Sequence, residues 1–263
     1  MEIVKDLGVG RCMDVAAVRD RLYVIGSGKL HVLDITQSHS PELLGTLTNL
    51  GHTRQIEVQN DVAYITARED GVFIVDVSNS AKPRLLSHYN AIELATGIAI
   101  SGKVAFVACR TYGVELVDVS DPGKPLHLST IRTGEAQSCV ARDGILYVGV
   151  WGSKELVICD AKNPRAPQII SKTPLDGYGD GLCVRGSHCF VATGHHSRSM
   201  RKRDESDPGF GNGHGLEIFD ITQPEEPAFV SRIKAPRYYR IGMDMWDVAV
   251  SGNYAYLADT YNG

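Results

Sequence analysis

Repetition in the chain predicts an all-β fold, a β-propeller of four-stranded antiparallel blades. One observation is a run of apolar residues that ends in aspartate five times, at Asp34, Asp76, Asp118, Asp160 and Asp220. Each aspartate is followed seven residues later by proline, at Pro41, Pro83, Pro125, Pro167 and Pro227. The steps between aspartates are 42, 42, 42 and 60 residues, and a period near 42 residues is the dimension of one four-stranded blade. The other observation is the alternation inside each period, where short apolar-polar stretches are separated by two-residue turns.

The second repeat shows the elements in order. Ile56-Glu57-Val58 alternates, Asn60-Asp61 turns, and Val62-Ala63-Tyr64-Ile65-Thr66 alternates back. A polar loop, Arg68-Glu69-Asp70-Gly71, leads to a third strand over 72–77, a turn over 78–83 and a fourth strand over 84–88. The first three strands recur at 15–18, 22–26 and 30–35; at 98–100, 104–108 and 114–119; at 139–141, 146–150 and 156–160; and at 182–184, 189–193 and 216–221. A sixth repeat opens at Val248, turns at Gly252-Asn253 and runs through 254–258. The expected organisation is one domain over 1–263, with repeats at about 13–53, 54–94, 95–135, 136–178 and 179–245 and a partial repeat at 246–263. Residues 1–12 are expected to supply an outer closing strand. On this reading the sixth repeat is truncated before its aspartate strand, and the intact protein has six or seven blades.

The 263 residues carry a formal net charge of −4, which gives no electrostatic footprint for nucleic acid or an anionic membrane. Residues 1–6 lack the basic and apolar regions of a signal peptide, and no window approaches 18 apolar residues. A monomer is expected, cytoplasmic as written, or extracellular or periplasmic if the N-terminus extends further. The six cysteines, Cys12, Cys109, Cys139, Cys159, Cys183 and Cys189, have no CxxC spacing and are expected to be buried, reduced thiols. A two-residue turn at Gly186-Ser187 sets Val184 opposite Cys189, which argues against a Cys183–Cys189 bridge. Tyr23, Tyr64, Tyr147 and Tyr256 fall at interior strand positions and are expected to pack between blades.

The runs Val72-Phe73-Ile74-Val75-Asp76-Val77-Ser78 and Val114-Glu115-Leu116-Val117-Asp118-Val119-Ser120 resemble LVIVD repeats, a β-propeller repeat family. The resemblance extends over nearly the whole chain and implies architecture, while function is left to the sites a scaffold carries. The repeating aspartate itself reads as structural. An Asp two residues before Ser or Thr accepts backbone N–H bonds in the turn that leads to the proline.

Chemistry is expected on one face, where second-to-third-strand loops and blade-to-blade connections lie together. These segments hold unusual residues: Arg54, Arg68, Arg110, Tyr112, Trp151, Tyr178 and Asp180. The fifth repeat is 18 residues longer than the others, and its extra length lies between Thr193 and Leu216, including His195, His196 and His214. Its basic run at 201–203 is followed by Asp204-Glu205 and reads as self-compensating. The next connection is also expanded and contains Tyr238, Arg240, Asp244 and Trp246. Long loops on one face of a repeat scaffold are the usual seat of function.

Two functions fit. A binding propeller would hold a polar or acidic small molecule, glycan or protein segment in its axial funnel through Arg54, Arg68, Trp151, His196, Tyr178, Asp180, Asp244 and Trp246. A polysaccharide lyase would cleave a uronic-acid glycan by β-elimination: Arg110 or Arg240 neutralises the carboxylate, His195 or His214 takes the α-proton, and Tyr112 or Tyr238 protonates the leaving oxygen. The segments Gly194-His195-His196 and Gly213-His214-Gly215-Leu216-Glu217-Ile218-Phe219-Asp220 resemble propeller-type polysaccharide lyases such as ulvan lyases, which implies the second activity. No cofactor is expected. Zinc or calcium is a lesser alternative, because adjacent histidines on extended backbone point in opposite directions and do not both reach one ion.

Overall fold

The computed structural model describes residues 7–194, 214–234 and 245–259. Among these residues, twenty-two strands form five four-stranded sheets and one two-stranded sheet, with no helix. Blade 1 comprises β1 (Asp14–Val18), β2 (Arg21–Gly26), β3 (Lys29–Asp34) and β4 (Glu42–Leu47). Blade 2 comprises β5 (Gln55–Gln59), β6 (Val62–Thr66), β7 (Val72–Asp76) and β8 (Arg84–Tyr89); blade 3, β9 (Gly97–Ser101), β10 (Val104–Ala108), β11 (Val114–Asp118) and β12 (Leu126–Ile131). Blade 4 comprises β13 (Ala136–Arg142), β14 (Ile145–Val150), β15 (Glu155–Asp160) and β16 (Gln168–Pro174); blade 5, β17 (Tyr178–Arg185), β18 (His188–Gly194), β19 (Gly215–Asp220) and β20 (Ala228–Lys234). A sixth sheet pairs β21 (Met245–Ser251) with β22 (Tyr254–Asp259). In each full blade the strands follow one another in chain order. The expected closing strand falls on residues of which 1–6 lie outside the described set, and residues 7–13 form no strand.

The chain divides into two compact units, Met1–Cys109 with Glu115–Leu128 and Arg110–Val114 with Ser129–Gly263. Within the first unit, Tyr23, Ile25, Leu30 and Val32 of blade 1 pack on Ile56, Ala63, Ile65 and Val75 of blade 2. Tyr64, Val72 and Ile74 of blade 2 then pack on Ala105, Val107 and Val117 of blade 3. Within the second unit, Tyr147, Leu156 and Ile158 meet Cys189, Val191 and Phe219, and Ala192 and Leu216 meet Val248. The two middle strands are covered on both faces, which is why they read as near-continuous apolar runs.

The five aspartates perform the expected turn chemistry. Oδ1 of each accepts the backbone N–H two residues on, from Thr36, Ser78, Ser120, Lys162 and Thr222, at 2.8–3.0 Å. The residue after each aspartate donates its own N–H to the first hairpin of its blade, to Asp20, Asp61, Lys103, Gly144 and Ser187 carbonyls. A β-turn then closes between Gln37 and Ser40, Asn79 and Lys82, Asp121 and Lys124, Asn163 and Ala166, and Gln223 and Glu226. Proline stands second in three of these turns, at Pro122, Pro164 and Pro224, where its fixed φ is favourable.

That turn joins one blade to the preceding one. Ser87 donates its hydroxyl to the Pro122 carbonyl at 2.6 Å, Ser129 to Pro164 at 2.6 Å and Ser171 to Pro224 at 2.8 Å. In blades 2, 4 and 5 the fourth strand carries a one-residue bulge immediately before this serine position, at Leu86, Ile170 and Val230, and blade 1 has the same bulge at Leu44. A bulge re-aims the side chains next to it. In blade 1 the equivalent residue is Gly45, and a Cβ there would lie 2.4 Å from the Ser80 carbonyl oxygen. The backbones approach too closely for serine, so glycine replaces it.

Several expectations need correction. Cys109, Cys139, Cys159 and Cys189 are buried, but Cys12 is exposed and Cys183 only half-buried. Cys12 precedes β1 in chain without strand neighbours, so no sheet covers it. All six are free, and Val184 does sit opposite Cys189; burial pushes the Cys159 thiol up to about 12. Tyr23, Tyr64 and Tyr147 are buried as expected, whereas Tyr256 is 60% exposed because no strand among the described residues covers that face of β22. Tyr178 and Asp180, expected in a connection, belong to β17.

Two predictions follow from the turn. Ser129→Ala removes a hydroxyl that caps the next blade and should lower stability by about 1 kcal/mol, and Gly45→Ser should cost about 1–3 kcal/mol through overpacking, both read by denaturant melts. The Asp34, Asp76 and Asp220 carboxyls are held below their usual range by hydroxyl and amide bonds from Thr36, Ser78 and Thr222. Their folded pKa values lie below the unfolded value of about 3.9, so their contribution is complete above that pH and lost as pH falls through the folded values. The thermal midpoint should therefore drop on acidification below about pH 4, and Asp76→Asn should make that drop shallower.

Candidate functional site

The second-to-third-strand loops share one backbone device. Arg68, Arg110 and Lys154 adopt left-handed conformations, with φ of 49°, 41° and 56°. A non-glycine residue there costs about 1 kcal/mol, and the cost persists only where the surroundings hold it. Here the next blade-to-blade connection holds it. Arg68 exchanges both backbone hydrogen bonds with Ala95, Arg110 accepts from the Ala136 N–H at 2.9 Å, and Lys154 accepts from the Leu175 N–H at 2.8 Å.

In the first unit, Arg68 and Glu69 line an open cavity of about 600 Å³ together with Arg11, His52 and Thr53. His52 Nδ1 lies 3.4 Å from Glu69 Oε2, and the His52 backbone N–H donates to Asp70 Oδ2 at 3.3 Å. The Glu69 carboxyl is held below its usual range, chiefly by a backbone hydrogen bond and then by His52. Arg54 sits beside β5, its N–H bonded to the Thr66 carbonyl at 2.7 Å, and does not line the cavity.

In the second unit, the Trp151 and Tyr178 rings stack at 4.6 Å between centroids and 29° between planes. Lys154 Nζ stands 5.1 Å from the centre of the Tyr178 ring. The Trp151 N–H donates to the Glu135 carbonyl at 2.8 Å, and the Glu135 carboxylate pairs with Arg110 Nε at 3.0 Å. Arg110, Glu135, Trp151, Tyr178 and Lys154 are thus linked through direct contacts on one rim. Beside Arg110 in the same loop, Tyr112 is exposed and carries the Arg132 guanidinium 4.9 Å from its ring centre.

His214 precedes β19 and is buried, with Nε2 3.2 Å from Oδ2 of the equally buried Asp259. Asp180 is buried in β17, and its carbonyl lies close to Gly149. Trp246 is half-buried at the start of β21, its backbone against Gly181. His195, His196, Tyr238, Arg240 and Asp244 lie outside the described residues. Among the described residues no three His, Cys, Asp or Glu side chains cluster as ligands of a metal ion.

The LVIVD repeat family matches residues 50–91, 94–133, 133–173 and 242–263, together more than half of the chain. The chain belongs to the LVIVD-repeat family. Blades 1 and 5 fall outside the matched segments, and blade 5 is the one with the long insert. Similar solved structures include a functionally unknown protein from Desulfotomaculum acetoxidans DSM 771, at 11% identity and TM-score 0.69, covering 91% of this chain and 73% of that one. Another is a chain of a nidogen/laminin complex, at 15% identity and TM-score 0.61, covering 91% and 85%. A third is the computationally designed Ika8 protein, at 12% and 0.60, covering 94% and 68%. At such identities the likeness is one of fold. No curated protein matches the LVIVD-repeat chain in sequence, and the local resemblance of its 194–220 region to ulvan lyases finds no support in these comparisons.

Sequence reasoning places Asp259 in the second-to-third-strand loop of the sixth repeat but does not pair it with His214; it stands where other repeats have Ala67, Cys109 and Val150, a departure that marks it. Other residues of the LVIVD-repeat scaffold were missed. Thr53 and Arg11 give no such signal. Glu115 and Glu217, three residues before their repeat aspartates, are buried and resemble catalytic acids, but their partners make them structural. Glu115 Oε2 accepts the Ile92 N–H at 3.2 Å, and Glu217 accepts the Asp176 N–H at 2.7 Å and Arg232 Nη2 at 3.0 Å. Each ties the connection entering its blade to the third strand. Glu217→Leu should therefore cost about 2 kcal/mol in a denaturant melt, because a connection amide loses a charged acceptor.

Proposed function

We propose that this LVIVD-repeat protein is a binding propeller whose rim of Arg110, Trp151, Lys154 and Tyr178 holds an acidic glycan. The observation that carries the reading is the Trp151–Tyr178 stack with Lys154 beside it. An aromatic face packs on the C–H face of a sugar ring, and a flanking ammonium meets a carboxylate through a charge-assisted hydrogen bond. The stack is braced from behind by Glu135, which joins the Trp151 backbone to the Arg110 guanidinium. Bracing of this kind lowers the side-chain ordering that binding would otherwise require.

A second reading is favoured by the His214–Asp259 contact. A buried imidazole oriented by a carboxylate is the arrangement of a general base. With the Nε2–H donated to Asp259, Nδ1 carries the lone pair that would take the α-proton of a uronic acid.

One experiment addresses both. In affinity electrophoresis through gels containing alginate, polygalacturonate or hyaluronate, the protein should be retarded by at least one. Trp151→Ala should abolish the retardation, and Arg110→Asn, which suits the left-handed backbone, should weaken it. Equal migration in all acidic gels, or retardation unchanged by Trp151→Ala, overturns the binding reading. Release of a conjugated double bond from the same polymers, read by ultraviolet absorbance and lost in His214→Gln with retardation kept, would establish the lyase.

A further inference from the structure

The cavity of the first unit lies apart in sequence from the rim residues and makes no use of them. It measures about 600 Å³, within the range of small-molecule sites, and opens between the N-terminal segment, the second-to-third-strand loops of blades 1 and 2 and the connection between those blades. Its polar lining is unusual. Arg68 is held in a left-handed conformation by two backbone bonds to Ala95, and its guanidinium has no ion-pair partner among the described residues. Arg11 lines the same space. Thr53 forms part of the wall and is 95% removed from solvent, yet its Oγ1 has no hydrogen-bond partner among the described residues. A buried hydroxyl without a partner loses its hydration for nothing in the free protein, and a ligand that supplies the partner recovers that loss.

The residue chemistry narrows the ligand. Two guanidinium groups favour an oxyanion, and the fork of arginine matches a carboxylate. Glu69, paired with His52, sets a carboxylate in the same wall and accepts hydrogen bonds from hydroxyl groups. A wall that combines guanidinium groups with a hydrogen-bond-accepting carboxylate suits a ligand bearing both an anionic group and hydroxyl groups.

We propose that this cavity is a second binding site, for a small hydroxylated monocarboxylate. Its carboxylate engages Arg68 and Arg11, and its hydroxyl groups engage Glu69 and Thr53. This goes beyond the glycan rim and stands whether or not that rim binds a polymer.

The test is isothermal titration calorimetry of the full chain with D-glucuronate and D-gluconate, against D-glucose and inorganic phosphate. At least one of the two acids should bind at least tenfold more tightly than glucose and more tightly than phosphate. Arg68→Asn keeps a residue suited to positive φ and should weaken the acid at least tenfold, with the thermal midpoint of the free protein unchanged. Thr53→Val removes the unpartnered hydroxyl at constant shape. It should leave the free protein as stable or more stable while weakening the acid severalfold, an opposition that a purely structural threonine would not produce. Trp151→Ala should leave these titrations unchanged, so failure of the rim and failure of the cavity are read separately. Absence of binding by both acids, equal binding of glucose, tighter binding of phosphate, or insensitivity to Arg68→Asn would each overturn the proposal.

Discussion

The hydrogen bond that each repeat aspartate accepts from the amide two residues on is the interaction the architecture depends on. By itself it is an ordinary turn bond at the surface. Its consequence is positional, because it fixes the path of the chain from the third strand into the β-turn whose second residue presents a carbonyl to the neighbouring blade. The serine hydroxyls of Ser87, Ser129 and Ser171 reach that carbonyl because the turn is held, and beside Ser87 and Ser171 the fourth strand is bulged. Local turn chemistry and blade-to-blade spacing are therefore one constraint. The constraint falls on the turn and not on the whole repeat, since the Ser171–Pro224 bond forms across the longer fifth repeat as well.

Stability and chemistry are divided between the ends of the blades. At one end, two-residue hairpins such as Asn60-Asp61, with φ of 51° and 60°, reverse the chain and accept the N–H that follows the repeat aspartate. At the other, the second-to-third-strand loop of each of blades 1 to 4 is bonded to the connection that follows its blade, so that two irregular segments satisfy each other's backbone groups. Charged side chains can then project from a rigid rim. The buried carboxylates Glu115 and Glu217 belong to the framework side of this division. Glu115 Oε2 and Glu217 Oε1 each accept a connection amide, and Glu217 Oε2 accepts from Arg232.

Most of the architecture was legible because it rests on periodic signals. Alternation gives the strands, the Asp-to-Pro offset gives the blades, and a two-residue turn gives the Val184–Cys189 register. The serine bond is periodic too, at Ser87, Ser129 and Ser171, but a serine on an outer strand carries no distinguishing pattern until its acceptor is seen. Gly45 breaks the series for a reason that resides in the neighbouring turn, where Ser80 replaces the proline. The site was less legible. Trp151 and Tyr178 were each visible as unusual residues, but their stacking joins positions 27 apart in different blades. Nothing in either stretch encodes it. The His214–Asp259 contact spans 45 residues in the same way.

The left-handed cations connect the framework to a binding role. Glycine at the positions of Arg68, Arg110 and Lys154 would relieve about 1 kcal/mol of backbone strain at each. Asparagine would relieve part of it, and either would still let the backbone bond to the next connection, since those bonds use only main-chain atoms. Among the described residues Arg110 pairs with Glu135 and Lys154 stands over Tyr178, so the fold uses part of their length, whereas Arg68 makes no ion pair there. Blade 1 makes the contrast, because its equivalent loop is the two-residue Ser27-Gly28 turn, with φ of 50° and 71° and no charge. The same scaffold accommodates an uncharged loop where it has no use for a cation. Charge at this end of three successive blades is what the proposed binding of acidic ligands would use, while the left-handed Ser27 shows that the strain itself belongs to the scaffold.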